Sequence, residues 1–183
     1  VPMAKTRVGI IGVGGISACH IESYRKHPEV ELAAFCDINR ERLDLMGEKY
    51  GVKKRFTRAQ DMLAQVPELD AVSVCTWNSE HAPMTIAALN AGKHVLCEKP
   101  MATGEAAARE MLETAEKNGK LLMIGFDNGA VLQIEASFSL NIKLTAFATG
   151  TPCRAPAGDG VVIMRILDAV YESARTGHEV VLG

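Results

Sequence analysis

The stretch GVGGIS, residues 12–17, has glycines spaced for a turn that binds phosphate. Gly12 allows a tight turn after a strand, and Gly14 allows the backbone to approach a pyrophosphate closely. A helix that starts here offers unpaired N–H groups and the positive end of its dipole to an anion. Ser17 takes the place of the usual third glycine or alanine, and it is small enough to keep helix and strand close. Because many strand-to-helix turns favour glycine, the pattern alone is weak evidence for a nucleotide site.

A single acidic residue, Asp37, follows the apolar stretch VELAAFC. After the second strand of a dinucleotide-binding fold, a carboxylate accepts hydrogen bonds from the adenosine ribose and would repel a 2′-phosphate. NAD is therefore favoured over NADP, although Arg40 and Arg42 follow closely and leave a phosphate possible. Two alternatives stay open here. In the first, Asp37 has no ligand contact and only caps the next helix. In the second, the chain is a methyltransferase, a class that also has a glycine turn and an acidic residue in these places.

A charged pair, Glu98-Lys99, follows the apolar stretch HVLC and precedes Pro100. Proline cannot extend a strand ladder, and it pushes the residue before it towards an extended conformation. Lys99 is therefore expected to point into the crevice beyond the strand ends. The alternative is that both charged side chains face water and form a weak surface pair.

These residues follow strand ends in a regular alternation of strands and helices. Strands are predicted at Arg7–Ile11, Val30–Cys36, Lys54–Thr57, Ala71–Thr76, His94–Cys97 and Leu121–Ile124. Helices are predicted at Gly15–Lys26, Arg40–Tyr50, Ala59–Gln65, Glu80–Asn90 and Gly104–Asn118. The predicted helix ends are Gly51, Gly92 and Gly119, and the predicted N-caps are Asn39, Ser79 and Thr103. The alternation predicts an α/β fold, a doubly wound parallel sheet of the Rossmann type, with ligands at the carboxyl ends of its strands.

Five stretches, in this order and spacing, resemble the glucose–fructose oxidoreductase and inositol dehydrogenase family (Gfo/Idh/MocA). They are GIIGVGGIS, FCDINRERLD, TWNSEH, HVLCEKPMATGEAA and LLMIGF. The resemblance covers residues 5–126, and Glu98-Lys99-Pro100 is its most specific element. Trp77 departs from it, because the family usually has proline there.

The resemblance implies an NAD-dependent oxidoreductase that transfers a hydride between nicotinamide and a hydroxyl-bearing carbon of a sugar, polyol or cyclitol. It implies that Lys99 is catalytic, with Glu98 orienting it. It also implies cofactor contacts from the glycine turn and from the residues after strands two, four and five: Gly12, Gly14, Gly15, Ile16, Asp37, Arg40, Thr76, Trp77, Asn78, His81, Glu98 and Lys99. For His81, the alternative is a residue of the first helical turn without a ligand contact. No metal is expected.

Residues 127–140 resemble one strand of the family's second domain, a mainly antiparallel sheet of the α+β type that forms the substrate site, and residues 150–183 resemble its closing segment. We therefore expect a Rossmann domain at 1–126 and an incomplete substrate and oligomerisation domain at 127–183. The alternating stretch 130–140 suits a strand of that second sheet, although Asn128-Gly129 would also suit a hairpin with the last Rossmann strand. A final helix is expected after residue 159. The family's Asp-x-x-x-His motif does not occur within 127–183, so the catalytic set is incomplete in this sequence.

Composition and charge limit which partners and which cellular compartment are expected. The formal net charge of −2 gives no reason to expect nucleic acid or an anionic membrane as a partner. The 5 cysteines show no metal-binding spacing, which favours reduced thiols in the cytoplasm. The expected partners are a small sugar or polyol substrate and, by resemblance, a second copy of the chain through the C-terminal sheet. The alternative function is a non-catalytic protein of the same fold that binds NAD(H).

Overall fold

A computed structural model describes residues 5–125 together with residues 168, 172 and 175. Within this part the strands are β1 (Thr6–Ile11), β2 (Val30–Cys36), β3 (Lys54–Phe56), β4 (Ala71–Val74), β5 (His94–Cys97) and β6 (Leu122–Ile124). The helices are α1 (Ser17–Arg25), α2 (Arg40–Tyr50), α3 (Ala59–Gln65), α4 (Asn78–Asn90) and α5 (Glu105–Lys117). The predicted alternation is confirmed.

The strands form one parallel sheet of six in the order β3-β2-β1-β4-β5-β6. The chain moves outward from β1 to β3, returns to the centre and moves outward again from β4 to β6. Strand order therefore reverses between β1 and β4, the place where doubly wound sheets bind ligands. The predicted fold class is confirmed for these residues.

Both faces of the sheet are covered, because its central strands are apolar on both sides. On one face, Ile10 and Phe35 pack into a buried cluster that includes residues of α1 and α2. On the other face, Val74 and Cys97 pack into a larger cluster with residues of α3, α4 and α5. Unbroken apolar stretches such as HVLC are thus explained by burial on two sides.

Most of the predicted helix boundaries are correct. Gly51, Gly92 and Gly119 have positive φ angles of 71°, 75° and 60°, as residues that end helices often do. Asn39 caps α2, and its side chain accepts a hydrogen bond of 2.9 Å from Arg42 N.

Two predicted N-caps are wrong. Ser79 lies inside α4, because β4 ends at Val74 and the helix already begins at Asn78. The N-cap of α5 is Gly104 rather than Thr103. Its acceptor comes from a distant part of the chain: Asp168 Oδ2 accepts a hydrogen bond of 2.6 Å from Glu105 N.

Little of the predicted second domain falls within the described residues. Asp168, Glu172 and Arg175 are helical, as the predicted final helix requires. The alternating stretch 130–140 and the expected domain boundary at 126 lie outside the described residues. In the described ranges, no helix combines the length and the apolar character that a membrane span needs.

Candidate active site

The register of the sheet brings the predicted site residues to one edge. Ile11 pairs with Cys36 of β2 and with Val74 of β4. Val74 pairs in turn with Cys97 of β5, and Cys97 with Ile124 of β6. These five residues form one row across the sheet, and each is the last residue of its strand. The residues that follow them therefore lie side by side: the glycine turn after β1, Asp37 after β2, Cys75 and Thr76 after β4, and Glu98-Lys99 after β5.

Gly12 sits where no other residue fits without displacement. Its φ is +88°, and a Cβ there would lie 2.6 Å from Cys75 O and 2.7 Å from Cys75 C. Its N–H donates a hydrogen bond of 2.8 Å to Cys36 O. Gly12 thus allows β1 to turn while in contact with the ends of both neighbouring strands.

Gly14 and Gly15 are different, because their surroundings are open. A Cβ at Gly14 would meet only Arg42 Nη1, at 3.8 Å, and a Cβ at Gly15 would meet nothing within 4 Å. Ile16 is exposed beside them. In the first turn of α1, which begins at Ser17, Ala18 N donates to Gly15 O at 3.3 Å and Cys19 N donates to Ile16 O at 3.1 Å. Open space beside the positive end of a helix dipole fits a pyrophosphate.

Ser17 explains how the turn does without a third glycine. The residue is fully buried, and its Oγ donates a hydrogen bond of 2.6 Å to Gly14 O. The small side chain therefore lets α1 pack closely against the sheet, as a glycine would. Its hydrogen bond to Gly14 O also stabilises the turn.

Asp37 links the glycine turn to the start of α2. One carboxylate oxygen accepts a hydrogen bond of 2.9 Å from Val13 N, and the other accepts one of 2.8 Å from Asn39 N. A carboxylate has about four acceptor positions, so capacity remains for ribose hydroxyls. Asn39 rather than Asp37 is the N-cap of α2, which answers the capping alternative.

The two arginines after Asp37 lie in different places. Arg40 Nε donates to Asp44 Oδ2 at 2.8 Å, along the surface of α2. Arg42 Nη1 lies 4.0 Å from Asp37 Oδ2, close to the glycine turn. Arg42 is thus nearer than Arg40 to the space that a cofactor phosphate would occupy.

Glu98 is held by two hydrogen bonds on its carboxylate. His20 Nε2 lies 2.7 Å from Glu98 Oε1, and Lys99 N donates to Glu98 Oε2 at 3.1 Å. Burial acts to raise the pKa of Glu98, but the hydrogen bonds from His20 and from Lys99 N, with the charge of Lys99, outweigh it and lower the pKa. The Glu98 side chain is 12% exposed, whereas the neighbouring residue Lys99 is exposed.

His81 joins the loop after β4 to the loop after β5. It is 1% exposed, its Nδ1 lies 2.7 Å from Pro100 O, and its Nε2 lies 3.1 Å from Thr76 O. The Lys99-Pro100 peptide bond, next to this contact, is cis. Both ring nitrogens of His81 thus contact backbone carbonyls of the two loops that were predicted to line the site.

The remaining predicted residues lie at the start of α4. Thr76 is half-buried, Asn78 is exposed, and the Trp77 side chain is 79% exposed at the N-cap position. Thr76 Oγ1 donates a long hydrogen bond of 3.3 Å to Trp77 O. An exposed indole ring at this edge is available to contact a bound molecule.

His20 is a site residue that was not predicted from the sequence. The signal was the buried face of α1, formed by Ser17, His20, Ile21 and Tyr24 at helical spacing. A histidine on such a face needs a polar partner, and that partner is Glu98, 78 residues later in the chain.

The chemistry of the edge fits a dinucleotide. It combines a glycine turn with open space, a helix N-terminus, a carboxylate with remaining acceptor capacity and an exposed lysine beyond a neighbouring strand. Within the described residues, no three His, Cys, Asp or Glu side chains gather into a set that could hold a metal ion.

Comparisons with known proteins agree with this fit. Residues 6–126 match the sequence model of the Gfo/Idh/MocA oxidoreductases, described as an oxidoreductase family with an NAD-binding Rossmann fold. The chain is 36% identical over 121 residues to myo-inositol 2-dehydrogenase of Thermotoga maritima, covering 66% of this chain and 36% of that protein. It is 40% identical over 130 residues to D-glucoside 3-dehydrogenase of Escherichia coli, covering 70% and 37%.

Among solved structures, the WlbA dehydrogenase of Bordetella pertussis in complex with NADH and UDP-GlcNAcA is similar, with a TM-score of 0.66 and 32% identity. The match covers 76% of this chain and 42% of that one. The chain thus spans 36% and 37% of the two curated relatives named above.

Proposed function

The chain belongs to the Gfo/Idh/MocA family of oxidoreductases with an NAD-binding Rossmann fold, and we propose that it is the cofactor-binding part of an NAD-dependent dehydrogenase. Its substrate is a sugar, polyol or cyclitol that carries a hydroxyl on the reacting carbon. Relatives named as inositol and glucoside dehydrogenases support this substrate class. The observation that carries the proposal is the row of strand ends, which sets the glycine turn, Asp37 and Glu98-Lys99 at one edge.

The dinucleotide is held by the residues at this edge. The glycine turn and the positive end of the α1 dipole bind the pyrophosphate, with Gly14 and Gly15 leaving room for it. Asp37 accepts hydrogen bonds from the adenosine ribose and disfavours a 2′-phosphate, so NAD is preferred to NADP. Ile16, Thr76, Trp77 and Asn78 line the remaining space. Arg40 contributes less than Arg42, because it is paired with Asp44.

The reaction removes a hydride and a proton from the substrate, and different groups accept them. Bound NAD supplies the hydride acceptor. Lys99 Nζ, on the exposed side of its loop, holds the substrate hydroxyl and takes part in removing its proton. Glu98 fixes the backbone of Lys99 through the Lys99 N–H. His81 fixes the next residue through Pro100 O, so the loop keeps its shape while the lysine side chain acts.

The proposal is tested by separating cofactor binding from turnover. NADH binding is measured by its fluorescence, and turnover by NADH formation with myo-inositol, scyllo-inositol and glucosides as substrates. We expect Lys99→Ala to lower turnover at least about 100-fold, the usual range for losing a general base, while the Kd for NADH changes less than about 3-fold. The matched control is Lys53→Ala, because Lys53 is an exposed lysine that precedes β3 at the opposite edge of the sheet.

Two results would contradict the proposal. Turnover by Lys99→Ala equal to that of Lys53→Ala would remove Lys99 from the reaction. Failure of NAD to raise the thermal unfolding temperature at millimolar concentration would remove the cofactor assignment itself.

A second candidate is an NAD(H)-binding protein without catalysis. It is supported by the absence of an Asp-x-x-x-His motif from residues 127–183. NADH binding without turnover on any of these substrates would favour it. The intact mass of the purified protein, compared with 19.7 kDa, tells whether the motif lies on a longer polypeptide.

The finer expectations remain part of this proposal. We place the protein in the cytoplasm, supported by four described cysteines that are free thiols. Burial raises the pKa of the Cys36 and Cys97 thiols to about 12, which makes them unreactive. We further propose a Rossmann domain at 1–126 and a substrate domain at 127–183 that carries an association surface. We propose no nucleic-acid partner.

A further inference from the structure

His20 lies outside the loops that carry the predicted site, yet its side chain reaches the catalytic loop. It stands on the buried face of α1, one helical turn after Ser17. Its Nε2 is 2.7 Å from Glu98 Oε1, and the side chains of His20 and Glu98 are only 10% and 12% exposed. Glu98 Oε2 in turn accepts the hydrogen bond from Lys99 N.

We propose that His20 is a positioning residue of the active site, which fixes the Glu98 carboxylate and thereby the backbone of Lys99. The inference rests on the proposed function, because it assigns His20 a part in the same reaction. Glu98 contacts both partners, His20 through Oε1 and Lys99 N through Oε2. It therefore connects the helix that follows the glycine turn to the loop that carries the lysine.

The hydrogen-bond pattern assigns the direction of the contact. Among the described residues, His20 Nδ1 is buried and has no hydrogen-bond partner. A proton on Nδ1 would be a buried donor without an acceptor, and such a group is unfavourable. The ring proton therefore sits on Nε2 and is donated to Glu98 Oε1.

The surroundings of Glu98 leave little room for another arrangement. A Cβ at Gly125 would lie 3.0 Å from Glu98 Oε1, so the end of β6 closes one side of the carboxylate. Cys75 is near enough for the charge of Glu98 to contribute to the raised pKa of its thiol. With His20 removed, Glu98 would keep only the Lys99 N–H among these donors, in a buried place that disfavours its charge.

Two substitutions separate positioning from packing. His20→Leu places an apolar side chain of similar size on α1 and removes the hydrogen-bond donor. His20→Gln keeps an N–H donor at about the reach of Nε2. We expect His20→Leu to lower kcat about 10- to 100-fold while the Kd for NADH changes less than about 3-fold. We expect His20→Gln to recover most of the loss.

A second readout does not depend on turnover. Burial and hydrogen bonding oppose each other at Glu98, so removing the donor should leave burial dominant. We expect the pKa of Glu98, followed by carbon NMR of the labelled carboxyl group, to rise above its ordinary value in His20→Leu. In His20→Gln it should stay below its ordinary value.

The two readouts distinguish failure of this inference from failure of the proposed function. Absence of turnover in the wild-type protein would refute the dehydrogenase, and with it any part for His20 in the reaction. A wild-type enzyme whose kcat and Glu98 titration are both unchanged by His20→Leu would overturn the inference while the dehydrogenase stands. Equal losses of kcat in the Leu and Gln variants, with normal unfolding temperatures, would also overturn it, because the donor would then be irrelevant. If His20→Leu does not fold, the Gln variant decides: a raised pKa of Glu98 there, despite the retained donor, contradicts the inference.

Discussion

Two neighbouring glycines of the same turn should respond to alanine in opposite ways. At Gly12, φ is +88° and a Cβ would lie 2.6 Å from Cys75 O, 2.7 Å from Cys75 C and 2.9 Å from Thr76 N. These atoms belong to backbone, which cannot rotate away as a side-chain end would. At Gly15, a Cβ would meet nothing within 4 Å, and φ is not positive.

The structure sets the size of both effects. A left-handed backbone costs an L residue about 1–2 kcal/mol, and overpacking a closed space costs about 1–3 kcal/mol. Gly12→Ala should therefore lower the free energy of unfolding by about 2–5 kcal/mol, the sum of those ranges. Gly15→Ala should change it by less than about 1 kcal/mol, because the gain from a stiffer unfolded chain is no larger than that. The added methyl group of Gly15→Ala would instead fill space proposed for the pyrophosphate.

Urea unfolding and NADH titration of both variants test this reasoning. Gly12→Ala should unfold at clearly lower urea concentration, and its melting temperature should fall, since about 1 kcal/mol corresponds to about 2–4 °C at this size. Gly15→Ala should unfold like the wild type and bind NADH at least about 10-fold more weakly, a loss of about 1.4 kcal/mol. Greater destabilisation by Gly15→Ala than by Gly12→Ala would refute the assignment of one glycine to the fold and the other to the ligand.

Four further measurements probe other parts of the structure. Asp37→Ala should raise the Kd for NAD at least about 10-fold and reduce the preference for NAD over NADP; an unchanged preference would exclude the carboxylate as the discriminating group. NADH should quench the fluorescence of Trp77, the single tryptophan of the chain, and full emission at saturating NADH would mean that the ring lies away from the cofactor. Asp168→Ala should lower the free energy of unfolding by about 0.5–2 kcal/mol, because α5 loses its capping acceptor. The control Glu172→Ala changes an exposed helical residue and should lower it by less than about 0.5 kcal/mol, as is usual for surface substitutions. The pKa of Glu98 is lowered in the folded protein, so its ionised form stabilises the fold fully above the unfolded-state pKa of about 4.3. That stabilisation is lost as the pH falls through the folded-state pKa. In urea unfolding at pH 3–6, in steps of about half a unit, the free energy of unfolding should therefore fall less with acid in Glu98→Gln than in the wild type.

The fold could be predicted from the sequence because local signals and burial agree along residues 5–125. Unbroken apolar stretches mark strands that are covered on both faces, and glycines with positive φ mark where helices end. The wrong N-caps show the limit of local signals. The start of α5 receives its acceptor from Asp168, which is 63 residues away, and no local pattern could reveal this.

The candidate site could be predicted where its residues follow strand ends. In a parallel sheet those ends share one edge, so Gly12, Asp37 and Glu98 had to lie along the same edge of the sheet. The contacts of the two histidines could not be predicted in this way. His20 and His81 lie on helices, and their partners depend on which helix packs beside which strand end.

These contacts explain how the backbone at Lys99 is held in place while its side chain stays exposed. The backbone around Lys99 is fixed at three points: Glu98 N bonds to Val74 O, the Glu98 carboxylate bonds to Lys99 N, and Pro100 O lies against His81. The lysine side chain itself is exposed at the edge where substrate would approach. All of these groups lie within residues 5–125, the part of the chain that forms the Rossmann fold. Cofactor binding should therefore persist in any polypeptide that retains this fold, and turnover is the measurement that separates an enzyme from a protein that only binds NAD(H).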